Sequence, residues 1–293
     1  MIVRTHELRK TYGATVALRN VDLEVPAGSV YGLVGPNGAG KTTLLGILAG
    51  LRKPTSGSVD VSVEWSGVAV LPDTPQFDSW LTGREVVDLA RSLTDPSVPE
   101  DRVDEVLEQA GLADAAHRIV GGYSRGMLQR LGVASTVVGR PALLMLDEPS
   151  SALDPAGRRE VLDLVARLRG EATVIFSSHI LGDVQEVCDT VGILRAGELL
   201  FQGPLGDLLV GSAVPAYRLR VRPPGEGAIE ALRRASWVRS VEAVSPEELR
   251  ILVETVEAAE QNLATTLAGT GVRIVSFGPE AATLEQVFLE LTA

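Results

Sequence analysis

Residues 35–43, Gly35-Pro36-Asn37-Gly38-Ala39-Gly40-Lys41-Thr42-Thr43, constrain this chain more than any other stretch. They follow the apolar run Val30-Tyr31-Gly32-Leu33-Val34, which reads as a buried strand. They lead into Leu44, Leu45, Ile47 and Leu48, spaced as one face of a helix. A glycine loop between a strand and a helix is the context in which G-x-x-x-x-G-K-[ST] becomes a phosphate site. The glycines let successive N–H groups turn toward phosphate oxygens, and the helix start adds its positive dipole end. Lys41 supplies a point charge, and the Thr42 hydroxyl is a ligand for magnesium. The bland alternative, a glycine-rich turn before a helix, does not explain the lysine and hydroxyl at its end.

Three later stretches carry chemistry that fits a phosphate loop. Gly121-Gly122-Tyr123-Ser124-Arg125-Gly126 is a second glycine-rich turn. The spacing of Met127, Leu128, Leu131 and Ala134 predicts a helix after it, with Ser124 as cap. The run Leu143 to Leu146 ends in Asp147-Glu148 and reads as a buried parallel strand with two carboxylates at its tip, where ligands sit in open α/β sheets. Paired acids on a loop are commonly just solvated. Here Asp147 can hold magnesium through its water shell, and Glu148 can orient and deprotonate a water. Thr173 to Phe176 is another apolar strand, ending in Ser177-Ser178-His179. His179 is a candidate for a γ-phosphate contact, against a loop histidine satisfied by its neighbours. The other two histidines, His6 and His117, read as surface residues.

Composition narrows the class. The chain has 293 residues, 45% of them apolar, enough for one large domain or two. A formal net charge of −11 argues against bulk electrostatic binding of nucleic acid. The single cysteine, Cys188, excludes a disulfide framework or cysteine metal cluster and reads as a small apolar residue on a helix. The start, MIVRTHELRK, lacks the apolar core of a signal peptide, which fits a cytosolic setting. No apolar run approaches the roughly 18 residues of a membrane span, so a membrane role must come through a partner.

Residues 2–25 read as strands, with Tyr12-Gly13 and Pro26-Ala27-Gly28 as turns. Pro72 and Pro75 force an extended loop. Residues 83–111 read as helical with a break at 94–99, and a helix capped at Ser151–Pro155 runs to Gly170. A strand hairpin crosses Arg195-Ala196-Gly197. Gly211 to Pro215 reads as a linker. Beyond it the order strand, helix, strand, strand, helix, strand suits a small split-βαβ domain. A last helix opens with Thr283 and Gln286 as a capping box.

Together these stretches resemble the ATP-binding subunit of an ABC transporter over residues 2 to about 210. GPNGAGKTT matches the Walker A loop, YSRGMLQR the ABC signature, LLMLDEP Walker B with its catalytic glutamate, Ser151–Asp154 the D-loop and His179 the switch histidine. Tyr12 matches the aromatic residue that stacks on adenine. Two departures stand out: Arg125 replaces a signature glycine, with Met127 where glutamine is common. Asp73 occupies the Q-loop glutamine position, with Gln76 three residues later.

The resemblance implies an α/β fold: a P-loop NTPase cassette with a mixed sheet core, an antiparallel β subdomain and a helical subdomain. It implies a cassette over 1–210 with its helical part at about 76–140; the strand and helix pattern beyond the linker adds a small α+β accessory domain over 216–293. ATP and Mg2+ are the implied cofactors. Catalysis falls to Glu148 and His179. Nucleotide contacts fall to Tyr12, Gly35 through Thr43, Ser124, Arg125, Gly126, Met127 and Asp154, and metal contacts to Thr42, Asp147 and Asp73. Ser124 to Met127 would meet the γ-phosphate across a head-to-tail dimer, formed with a second copy or a paired cassette. The wording PDTPQFDSWLTGRE and the ending TLEQVFLELT look like the branch that exports drugs, antibiotics and lipids through a separate membrane permease. That places the chain at the cytoplasmic face of the plasma membrane, with no nucleic acid partner. A soluble ABC-type ATPase acting on ribosomes or DNA is the alternative, and a P-loop kinase or GTPase a more distant one.

Overall fold

The computed structural model describes residues 1–293 other than 152, 213–214, 223–225, 281–282 and 293; the side chains of 210–212, 226, 290 and 292 are also left aside. Ala152 of the D-loop stretch and residues 213–214 of the expected linker therefore lie outside the described residues. The chain divides into two compact units, Met1–Asp207 with Leu291–Ala293, and Leu208–Glu290.

The first unit opens with β1 (Val3–Tyr12), β2 (Thr15–Val21) and β3 (Glu24–Val25). The buried strand β4 (Val30–Val34) then feeds the glycine loop and helix α1 (Lys41–Leu48). β5 (Ser56–Val61) and β6 (Val68–Leu71) precede three helices, α2 (Gly83–Thr94), α3 (Asp101–Gln109) and α4 (Arg125–Val137). Next come β7 (Leu143–Asp147), α5 (Pro155–Arg167), β8 (Thr173–Ser178) and α6 (Leu181–Val187). β9 (Thr190–Arg195) and β10 (Glu198–Pro204) follow, and α7 (Leu205–Ser212) begins in this unit and ends in the second.

Six strands form the central sheet in the order β10-β9-β4-β8-β7-β6. All pair in parallel except β10, which lies antiparallel to β9 at one edge. Every residue of β4, β7 and β8 is buried, as expected for strands covered on both faces. A second, antiparallel sheet runs β2-β1-β3, with β5 also paired to β1. One apolar cluster joins Leu8, Leu18 and Leu23 from the antiparallel sheet and its connections to Leu44 and Leu48 of α1 and to Leu143, Met145 and Ile175 of the parallel strands. Helix α1 is thus held between the two sheets, which fixes the loop that precedes it.

The helices start where hydrogen-bond chemistry allows. Thr82 and Glu85 form a reciprocal capping box at α2. Between α2 and α3, Asp95 Oδ1 accepts from the Ser97 amide and hydroxyl, at 2.9 and 2.7 Å, and turns the chain. Two local expectations are corrected. Tyr12 is the last residue of β1 rather than part of the turn, because pairing with Thr15 carries the ladder to that point. Cys188 is buried but lies just past α6 in an extended conformation, where the helix gives way to β9.

In the second unit, β11 (Ala216–Arg222), α8 (Glu226–Arg234), β12 (Val238–Ser245), β13 (Glu248–Val253), α9 (Val256–Ala268) and β14 (Arg273–Pro279) follow in turn. The sheet is antiparallel throughout, in the order β12-β13-β11-β14. Strict alternation sends Tyr217, Leu219 and Val221 into a core with Leu232, Leu263 and Leu267, while Arg218, Arg220 and Arg222 stay exposed. Residues 211–212, expected as linker, belong to α7. Helix α10 (Leu284–Thr292) begins with the expected capping box: the Thr283 amide donates to Gln286 Oε1 at 3.1 Å and the Gln286 amide to Thr283 Oγ1 at 3.3 Å.

Candidate active site

Parallel register brings three chain exits to one edge of the central sheet. Val34 pairs with Ser178, and Asp147 with Ser177. The glycine loop, Glu148 and His179 therefore leave the sheet side by side. Beside them opens a cleft of about 450 Å³, lined by Asn37 through Thr43, by Thr15, Val16 and Ala17 of β2, and by Asp73 and Glu148.

Close packing explains the glycines of the loop. A Cβ on Gly35 would stand 2.1 Å from the Leu194 carbonyl oxygen. Gly40 has a φ of 109°, and its Cβ would meet the Ala17 carbonyl oxygen at 2.6 Å. No side chain caps α1, so amides of its first turn have no side-chain acceptor.

Lys41 is buried, and three oxygens surround its ammonium. The Gly35 carbonyl accepts at 2.7 Å, the Pro36 carbonyl at 3.3 Å, and Glu148 Oε1 pairs with it at 3.0 Å. The other Glu148 oxygen lies 2.7 Å from His179 Nδ1 and accepts the His179 amide at 3.4 Å. Glu148 thus sits between a lysine and a histidine, its side chain 12% exposed. Its backbone φ of 50° is left-handed, a conformation that costs a non-glycine residue free energy.

Asp147 is buried and accepts the Ser177 hydroxyl at 2.6 Å. Asp73 accepts the Ser151 hydroxyl at 3.0 Å. The Ser150 hydroxyl donates to Asp183 Oδ2 at 2.6 Å, and Arg158 closes an ion pair on the same buried carboxylate. These bonds pin the segment after β7.

The expected residues fall into two groups. Lys41, Thr42, Thr43, Asp73 and Glu148 share the cleft with Asn37 through Gly40, and His179 joins them through Glu148. Ser124 through Met127 are not among its lining residues. There Ser124 caps α4, accepting the Met127 amide at 3.3 Å. Asp154 caps α5 by accepting the Gly157 amide at 3.1 Å. Tyr12 is exposed, with Lys10 Nζ 4.8 Å from its ring centre and Arg52 donating to its hydroxyl at 3.1 Å. Thr15 to Ala17, Ser177 and Asp183 escaped the sequence reading. They sit in ordinary strand or helix patterns, and only the folding of β2 over the loop and of β8 beside β7 gives them their place.

No cluster of three or more histidine, cysteine, aspartate or glutamate side chains forms a self-contained metal site among the described residues. Magnesium typically takes one or two carboxylates and shares the rest of its shell with waters and substrate phosphates, and the Thr42 hydroxyl and Asp73 carboxylate at this cleft are donors of that kind. Among the described residues, no helix is long and apolar enough to cross a membrane.

The ABC transporter family matches residues 18–151. An uncharacterised ABC transporter ATP-binding protein of Bacillus subtilis, YxlF, is 36% identical over 97% of this chain and 97% of its own length. The chain belongs to the ATP-binding proteins of ABC transporters. A daunorubicin/doxorubicin resistance ATP-binding protein, DrrA of Streptomyces peucetius, is 32% identical across 99% of this chain and 92% of its own. Among solved structures, an ABC transporter ATP-binding subunit aligns at a TM-score of 0.65 and 26% identity, covering 72% of this chain and 93% of that one. A dimeric ATP-binding cassette in a post-hydrolysis state with ADP and Pi aligns at 0.63 and 25%, covering 69% and 98%. The fold is the P-loop cassette, and the protein is an ATP-binding, ATP-hydrolysing motor of the transporter class.

Proposed function

We propose that this protein powers an exporter of drugs, antibiotics or lipids, bound to a separate permease at the cytoplasmic face of the plasma membrane. Relatives named for drug resistance and for bacitracin transport support the export reading, the former over nearly the whole chain. Against this, an action on ribosomes or DNA has only the shared cassette in its favour, and the net charge of −11 opposes it.

The observation that carries the mechanism is Glu148 held between Lys41 and His179 at the mouth of the glycine loop. ATP phosphates would settle on the amides of Gly35 through Thr43 and draw Lys41 toward the β- and γ-oxygens. Lys41 then exchanges its Glu148 partner for phosphate, which frees the carboxylate. Glu148 takes a proton from a water as that water attacks the γ-phosphorus, and ADP leaves. His179, beside Glu148, steadies the γ-phosphate. Thr42, Asp147 and Asp73 would hold Mg2+, which supplies charge neutralisation across the phosphates. Tyr12 would stack on adenine.

Ser124 through Met127 are not among the residues that line the cleft, which supports a role in the site of a second cassette in head-to-tail contact. There the start of α4 would meet the γ-phosphate with its amides and dipole, and Asp154 would sit near the same junction. Closure on ATP and reopening after hydrolysis make a two-state element that a permease reads as motion. Size-exclusion chromatography of Glu148→Gln with ATP and magnesium tests this. The expected result is an ATP-dependent shift to a dimer; a variant that stays monomeric with unchanged turnover refutes it.

A further inference from the structure

We propose that Ser177 is a positioning residue for the metal-binding carboxylate and catalytic backbone of this site, an inference that rests on the function proposed above. Ser177 is fully buried at the end of β8, directly across from Asp147 in the parallel ladder. Its hydroxyl carries a single proton, and Asp147 Oδ1 receives it at 2.6 Å. Ser177 Oγ in turn accepts the Glu148 amide at 3.0 Å, a donor that also reaches the Ser177 carbonyl at 3.2 Å. One side chain therefore touches both acids of the strand tip: the carboxylate of Asp147 and the backbone that carries Glu148.

The geometry has two consequences. With Oδ1 committed to Ser177, Asp147 keeps one oxygen without a protein hydrogen bond among the described residues, and its rotamer is set. That oxygen is the one left for magnesium or its water shell. The second consequence concerns Glu148, whose left-handed φ of 50° needs support from its surroundings. The bond from its amide to Ser177 Oγ gives that support from the neighbouring strand. Groups that orient a metal ligand in this way typically change metal affinity by roughly 10–100-fold when removed.

Ser178 provides an internal control. It is equally buried on the same strand, but its hydroxyl bonds to the amide and carbonyl of Ile180, at 2.9 and 3.3 Å. Loss of a buried hydroxyl alone is therefore separable from loss of the link to Asp147.

The test uses the full chain with ATP and Mn2+ as a magnesium probe, reading bound Mn2+ by electron paramagnetic resonance. Mg2+-dependent turnover is measured in parallel. Ser177→Ala is expected to raise the Mn2+ concentration for half-saturation of the ATP complex about 10-fold or more. It should lower kcat similarly, with binding of metal-free ATP unchanged. Ser177→Thr, which keeps the hydroxyl, restores both values, and Ser178→Ala leaves the Mn2+ midpoint where it was. If Ser177→Ala does not fold, Ser177→Cys retains the volume with a weak donor and is expected to show the same shift. A Mn2+ midpoint within twofold of the parent for the folded Ala or Cys variant overturns the role of Ser177 while leaving the ATPase reading intact. An unmodified chain that binds Mn2+–ATP without turning it over counts against the function reading, and the Mn2+ midpoints still decide the role of Ser177.

Discussion

Asp183 is expected to be among the most sensitive carboxylates in the first unit, although it makes no contact with the cleft. It is 1% exposed and lies in the first turn of α6. Its two oxygens hold the Ser150 hydroxyl at 2.6 Å and Arg158 Nε at 2.6 Å, so it joins the segment after β7 to α5 and α6. Asp183→Ala removes an ion pair and strands a buried hydroxyl. Breaking one partner of a fully buried pair costs about 3–5 kcal/mol. The Arg158 side chain is 35% exposed and can turn to water, which reduces its share. Ser150, itself 1% exposed, keeps an unmet donor at about 1–3 kcal/mol. A net loss of about 2–3 kcal/mol follows. For a unit of this size that corresponds to a fall in Tm of about 5–10 °C. Differential scanning calorimetry of the full chain reads it directly. Asp183→Asn still accepts from Ser150 and should lose about half as much. In a double-mutant cycle, Ser150→Ala should cost little more once Asp183 is gone. A Tm for Asp183→Ala within 1 °C of the parent, against the ~5 °C expected, would refute the reasoning.

Other expectations follow from single contacts. Glu148→Gln should lower ATP turnover by about 10²–10⁴-fold through loss of the base, measured by phosphate release, with ATP binding no weaker because a negative charge leaves the cleft. Gly35→Ala drives a Cβ to 2.1 Å from the Leu194 carbonyl oxygen, so equilibrium binding of a fluorescent ATP analogue should collapse. Gly38→Ala meets nothing within 4 Å and pays chiefly for its φ of 82°, about 1–2 kcal/mol. In the second unit, burial pushes the Glu280 carboxyl up, but hydrogen bonds and charges from Arg218 and Arg250 outweigh this and hold it below its ordinary 4.5. A depressed folded pKa contributes stability above the unfolded value, lost as pH falls through the folded one. Stability of this unit against denaturant, followed at the buried Trp237, should therefore fall below about pH 4.5, and Glu280→Gln should flatten that dependence.

Legibility from sequence tracked how local the cause was. Lys41, Thr42 and the glycines were readable because a phosphate loop is contiguous and its constraints are backbone constraints. The Ser124 cap, the Thr283–Gln286 box and the break near Asp95 depend on neighbours a few positions away. The alternation of β11 was readable because a half-buried strand repeats every two residues. Tyr12 was misplaced by one element because its conformation is set by cross-strand pairing with Thr15, not by the glycine after it. Thr15, Val16 and Ala17 gave no signal, since they line the cleft by virtue of a crossing between two sheets.

The sequence by itself determined the chemistry available: a phosphate loop with its lysine and hydroxyl, two acids at a strand tip, a histidine at another, and a second glycine turn with no lysine. Tertiary structure decided which of these act on each other. Parallel register placed Asp147 across from Ser177 and set Glu148 between Lys41 and His179, residues separated by more than a hundred positions in the case of Lys41. It also left Ser124 to Met127 outside the cleft lining. The physical reason is that residue type and local spacing fix hydrogen-bonding capacity, whereas strand order and register fix distance, and an ion pair or a shared proton exists only at short distance.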